Sequence, residues 1–212
     1  EKIFQFMPDN LPVHAEFWLD REDKPFTAND TLIVDESGKI TSQPLETGRT
    51  FAGVQGQLWS ENTRTNATAE YKLFPRLMSL AERAWHQAEW AVPYDHNGFV
   101  YSQNSQRFTL AMQAQRDQQW RLFSATLGLK EFAKLEQANI HYRLPTVGAK
   151  IIENTLVANI AYPGLAIEYQ TEQASWKTYS APVKVTGDVW VRATSLSGER
   201  LGRKTKVNTV NK

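Results

Sequence analysis

The sequence contains no cysteine, which excludes disulfides and thiolate metal sites and leaves the compartment open. It also lacks long apolar runs, the longest falling far short of the roughly 20 residues a membrane-spanning helix needs. Charge of one sign is missing too. The 24 basic and 23 acidic residues leave a formal net charge of +1. That is no electrostatic footprint for nucleic acid or an anionic membrane, and no nucleic-acid partner is expected. The familiar chemical motifs are absent as well: no GxGxxG or P-loop, no HExxH, no EF-hand loop, no GxSxG elbow. The four histidines, at 14, 86, 96 and 141, have no metal-ligand spacing, so neither a metal nor a cofactor is expected. Residue 1 is Glu and no charged-then-apolar leader precedes it, so no signal peptide is visible and the chain reads as a piece of a longer protein.

What is present marks an ordinary folded protein, with 41% apolar and 22% charged residues. At 212 residues, one large domain or two modest ones would fit. Seven tryptophans are a surplus. Such a surplus serves core packing, or it supplies the ring faces on which sugar-binding clefts stack the apolar C–H face of a pyranose.

The chain divides into three. Residues 1–50 are dense in Pro, Asp, Asn and Gly, with at most a short hairpin around "TLIVDESGKI". "FAGVQGQLW" (51–59) follows as an expected strand. Helical periodicity then runs over about 66–90, with Tyr71, Phe74, Met78, Ala81 and Trp85 on one face. Pro75 is expected to start or kink the main helix. A second helical region covers about 105–136, with Gly128 as an expected stop inside it. From about 139 the period changes to two. "NIHYRL", "KIIENTLVANIAY", "AIEYQTE", "WKTYS", "VKVTGDVWVRATS" and "RLGRKTKVNTV" read as short strands of a small antiparallel sandwich, with "SLSGERLG" as a hairpin turn. The domains are therefore 1–137 and 138–212.

Two places invite a chemical reading. Asp35 and Glu36 are adjacent carboxylates, which can divide acid and orienting roles, but they precede Ser-Gly at a hairpin tip and read as a solvated turn. In "GQLWSENTRT" (56–65), Trp59 ends the expected strand and Glu61 follows before a helix. A strand delivering side chains from its C-terminal end into a helix is half of a βα unit, and in β/α barrels such strand ends carry the active site. Trp59 would then floor a sugar pocket and Glu61 would accept hydrogen bonds from hydroxyls. The spacing alone fits equally a core Trp beside a surface Glu.

"GVQGQLWSENTRTNATAEYKLFPRLMSLAERAW" resembles the eighth strand and eighth helix of the catalytic barrel of family 20 glycoside hydrolases. These are the β-N-acetylhexosaminidases, the bacterial chitobiases among them. LWSE, FPR and LAERAW carry the resemblance, which extends upstream through "FQFMPDNLP" and downstream through "LGLKEFAKLEQANIHYRLPTVGAKI". It implies the last β/α unit of a (β/α)8 TIM barrel with long loops and extra helices, followed by an all-β immunoglobulin-like sandwich. It implies substrate-binding roles for Trp59, lining the pocket of the non-reducing N-acetylglucosamine, and for Glu61, bonding that sugar's outer hydroxyls. Arg76, Glu82, Arg83 and Trp85 match the helix behind the strand and are read as packing and ion pairing.

The reaction so implied is retaining and substrate-assisted: the acetamido oxygen attacks the anomeric carbon while a Glu protonates the leaving oxygen and an adjacent Asp orients the acetamido group. That pair stands in a His-x-Gly-Gly-Asp-Glu setting, which this sequence does not contain. The isolated chain is therefore expected to have no catalytic residue and to be inactive alone. Its expected partners are N-acetylglucosamine oligosaccharides such as chitobiose and the N-terminal remainder of the same enzyme. By the same resemblance the parent is expected to be periplasmic, outer-membrane associated or secreted. A non-catalytic carbohydrate-binding or scaffold module, resting on Trp176 and Trp190 of the sandwich, is the alternative.

Overall fold

The computed structural model describes residues 36–37, 52–91, 108–172 and 174–208. The first described helix, α1 (Asn66–Leu73), starts at Thr65, whose extended backbone (φ −138°, ψ 158°) and side-chain oxygen make it an N-cap. Helix α1 ends before a cis Phe74–Pro75 bond, and α2 (Arg76–Trp85) begins immediately after it. Pro75 thus separates two helices, as its missing N–H requires. Helix α3 (Leu110–Thr126) runs without a break through a π-helical segment (Leu127–Glu131) into α4 (Phe132–Gln137).

Gly128 is therefore not a helix stop. It lies inside the π segment, buried, and a Cβ there would fall 1.8 Å from the Pro163 carbonyl oxygen. Glycine serves close approach here, which a terminating glycine and a packing glycine do not reveal by type alone.

The strand expected over 51–59 is not formed: residues 53–60 adopt neither helix nor strand, and residue 51 lies outside the described residues. A strand exists by exchanging backbone hydrogen bonds with a neighbour, and none of the described residues pairs with this segment. "NIHYRL" is not a strand either. Its backbone amides reach a helix instead, His141 N–H donating to Glu70 and Arg143 N–H to the Phe74 carbonyl.

Among the described residues, seven short strands follow in two antiparallel sheets. These are β1 (Gly148–Ile152), β2 (Thr155–Asn159), β3 (Ala166–Thr171), β4 (Lys177–Tyr179), β5 (Val183–Lys184), β6 (Val189–Thr194) and β7 (Thr205–Lys206). The sheet orders are β1-β2-β5 and β4-β3-β6-β7. Strands β1 and β2 form a two-residue hairpin in which Glu153 and Asn154 both have positive φ, 48° and 59°, the backbone that matches strand twist. Strand β6 alternates over its first five residues, with Val189, Val191 and Ala193 buried and Trp190 and Arg192 half-buried on the other face, before ending on buried Thr194. Ile151 and Leu156 from one sheet join Ile167, Val189 and Val191 from the other in a single buried cluster. The Tyr179 hydroxyl also accepts the Ala158 amide at 3.0 Å, tying β4 to β2 across the sheets.

The described residues fall into two compact units. One takes α2 and the first part of α3; the other takes Leu58–Pro75 and the described residues from Arg121 onward. This grouping crosses the 137/138 boundary read from the sequence, because the helical residues just before it pack on the sheet loops. Gly128 meets the 162–164 loop, and Phe132 stacks on Tyr142 at 4.2 Å between ring centroids.

Candidate functional site

The stretch after Leu58 is a turn built for presentation. The Thr63 amide donates to the Ser60 carbonyl at 2.9 Å, which places Glu61 and Asn62 at the tip. Two residues later the Thr65 hydroxyl oxygen accepts the Thr68 amide at 3.1 Å and starts α1. Lys72, in the last turn of that helix, donates from Nζ to Thr63 Oγ1 at 2.8 Å. The turn is thus closed by its own backbone and held to α1 at two threonines.

Both residues predicted for the site lie on this stretch. Trp59 is 74% exposed, an uncommon position for the largest apolar side chain. Glu61 is exposed, and among the described residues its carboxylate has no hydrogen-bond or ion-pair partner. No hydrogen bond joins the two side chains among the described residues. An open indole face near a carboxylate with free lone pairs can do one thing well: stack on an apolar ring face and accept hydrogen bonds from hydroxyls at its rim. Within the described residues Trp59 is not packed in a core.

Sequence reasoning missed the support beneath this turn. The Thr65 cap had a signal, a Thr directly ahead of a helical pattern. Lys72 had none, since a spacing of nine residues marks no single helix face. Glu70 was equally silent: its Oε2 accepts the His141 amide at 2.8 Å, 71 positions along the chain.

The second helix matches its predicted role in part. Arg83 is buried, pairs with Glu82 at 3.5 Å and lies 5.4 Å over the Trp90 ring. Burial pulls its pKa below the ordinary value while the Glu82 carboxylate pulls it back up. Trp90 in turn donates from Nε1 to Gln119 at 2.8 Å. Trp85, read as packing, is instead 94% exposed; it ends α2 on a side where no described residue covers it.

Other candidates resolve plainly. Glu36 sits in an exposed turn with Ser37, and Asp35 lies outside the described residues. In the sheets, the Arg192 guanidinium stands 4.0 Å over the Trp176 ring and the Lys204 ammonium 4.6 Å over Trp190. Arg192 is itself fixed by Glu168 at 2.7 Å. Each of these rings thus carries a cation over one face.

Comparison with known proteins adds the context the site lacks on its own. Residues 17–88 match the glycosyl hydrolase family 20 catalytic domain, and residues 131–204 match the chitobiase/beta-hexosaminidase C-terminal domain. The chain thus carries part of a family 20 catalytic domain followed by a chitobiase/β-hexosaminidase C-terminal domain. Among its relatives are N,N'-diacetylchitobiase of Vibrio harveyi, 39% identical over 97% of this chain, and beta-hexosaminidase of Vibrio vulnificus, 37% identical over 98%. Beta-hexosaminidase B of Pseudoalteromonas piscicida is 52% identical over 60% of this chain. The chain spans only 22%, 23% and 15% of those three proteins respectively. Trp59 and Glu61 fall within the region matched to the catalytic domain.

Proposed function

We propose that this chain is the C-terminal portion of a β-N-acetylhexosaminidase that removes terminal non-reducing N-acetylhexosamine from chitobiose and chito-oligosaccharides. The observation that carries the reading is the exposed Trp59, just ahead of a braced turn whose tip holds Glu61 with no partner among the described residues, inside the matched catalytic region. Trp59 stacks on the sugar and Glu61 accepts its outer hydroxyls. Bond cleavage falls to residues of the N-terminal remainder, where the substrate's own acetamido oxygen attacks the anomeric carbon and a carboxylic acid protonates the leaving oxygen.

On this reading residues 1–137 end the catalytic barrel, with about 51–59 becoming its last strand once neighbours are present. Residues 138–212 form an immunoglobulin-like C-terminal domain. The parent works outside the cytoplasm, in the periplasm, at the outer membrane or as a secreted enzyme. The test is hydrolysis of a chromogenic N-acetylglucosaminide by the parent and by the isolated chain. Turnover by the parent alone is expected. Turnover by the 212-residue chain would contradict the division of labour, and none by the parent would contradict the activity.

A further inference from the structure

A continuous set of contacts runs from the Trp59–Glu61 turn to the sheet domain, all inside one compact unit. It begins at the turn, where Lys72 of α1 holds Thr63 at 2.8 Å. The same C-terminal turn of α1 that carries Lys72 is held to residues 141–143 by three contacts. The Glu70 carboxylate accepts the His141 amide at 2.8 Å, the Phe74 carbonyl accepts the Arg143 amide at 3.0 Å, and the Arg143 guanidinium stands 5.8 Å over the Tyr71 ring.

The 141–143 segment is itself locked. The Tyr142 hydroxyl donates to Glu136 at 2.5 Å, and its ring is stacked on Phe132 on one side and meets Arg200 at 4.2 Å. Glu136 also accepts the amides of Leu196 and Ser197 in the β6–β7 connection. The two regions that match separate family domains are therefore joined by the Glu70–His141 and Phe74–Arg143 hydrogen bonds, with α1 supplying the first region's side of the joint.

A short helix of eight residues is marginal on its own and takes its orientation from what it touches. What it touches at its C-terminal end is the lead-in to the sheet domain. We propose that the C-terminal domain acts as an anchor for the sugar-binding wall, with Glu70 as the positioning residue that transmits its hold through α1 and Lys72 to the turn bearing Glu61. This deepens the sugar-wall reading and rests on it. Glu70 touches no sugar; it fixes where Glu61 stands.

The experiment has two arms. In the full-length parent, Glu70→Ala is expected to raise KM for an aryl N-acetylglucosaminide about three- to tenfold with kcat within about twofold. Glu70→Gln keeps an oxygen acceptor for the His141 amide and is expected to restore KM. Combining Glu70→Ala with Glu61→Gln is expected to be no worse than Glu61→Gln alone, because both act through one side chain. In the 212-residue chain, Glu70→Ala and Lys72→Met are each expected to speed hydrogen exchange at the Thr63 amide, Lys72→Met leaving the sheet-domain contacts intact.

A harmful Glu61→Gln beside a silent Glu70→Ala, or fully additive losses, would overturn the anchor while leaving the sugar wall in place. A silent Glu61→Gln would overturn the sugar wall; the exchange arm then decides the anchor, and unchanged exchange at Thr63 in both variants would overturn it.

Discussion

The Glu136 carboxylate accepts the Tyr142 hydroxyl at 2.5 Å across the joint between α4 and the segment leading into the sheets. The same carboxylate takes the Leu196 amide at 3.0 Å and the Ser197 amide at 2.9 Å, and Arg200 lies 3.6 Å away. Burial by itself would raise the Glu136 pKa, but the donors facing it together outweigh burial and lower it below the ordinary 4.5. For Tyr142, burial raises the pKa and the Glu136 hydrogen bond raises it further. The pair is therefore a phenol held protonated against a carboxylate held ionised.

A pH dependence follows from the direction of the Glu136 shift. A carboxylate whose folded pKa is lowered contributes stability that is fully present above its unfolded value and is lost as pH falls through the folded one. Glu136→Gln is expected to destabilise the chain by about 2 kcal/mol near neutrality, since hydrogen bonds to a charged acceptor are replaced by weaker ones. The difference between wild type and variant should shrink below the unfolded value. Urea unfolding at neutral pH and at acid pH checks this; a difference that stays constant would show that the carboxylate charge contributes nothing.

The π segment gives a second expectation. At Gly128 an added methyl group would sit 1.8 Å from the Pro163 carbonyl oxygen and 3.1 Å from the Tyr162 carbonyl carbon, both backbone atoms that cannot swing aside. Gly128→Ala is expected to cost about 1–3 kcal/mol or more, as overpacking does. Denaturant unfolding measures it. A neutral Gly128→Ala would mean that the helix and the 162–164 loop separate without cost.

A third expectation concerns the tryptophans of the outer sheet face. With Arg192 over Trp176 and Lys204 over Trp190, neither ring offers its cation-covered face to a pyranose. Retention of the chain on chitin is expected to be the same with Trp176→Phe and Trp190→Phe as without them. Loss of retention in either variant would make the sheet domain a carbohydrate-binding module.

Particular residues show what the sequence could tell. "KIIENTLVANIAY" was legible as strand by its alternation, but it was read as one segment, and the structure folds it at Glu153 and Asn154 into the β1–β2 hairpin. The break at Pro75 was legible because proline lacks a donor. Trp59 and Glu61 were read only as a pattern whose spacing fits many contexts, and their exposure is shared by Trp85.

What stayed hidden depends on partners distant in the chain. Gly128 looks the same whether it ends a helix or admits a carbonyl. The Glu70–His141 bond joins positions 71 apart, and no periodicity predicts it. The strand read over 51–59 failed for a related reason. Its residues suit a strand, but strand formation belongs to the neighbours as much as to the segment.

The central claim is that Glu61 on its braced turn is the hydroxyl anchor of a sugar pocket. The most direct measurement is kcat/KM of the full-length parent carrying Glu61→Gln, with Trp59→Ala alongside, on an aryl N-acetylglucosaminide. Loss of charge-assisted hydrogen bonds should cost about 1.5–3 kcal/mol, a fall of about ten- to a hundredfold, with Trp59→Ala at least as damaging. An unchanged kcat/KM in Glu61→Gln, in an enzyme that folds as the wild type does, would contradict the account.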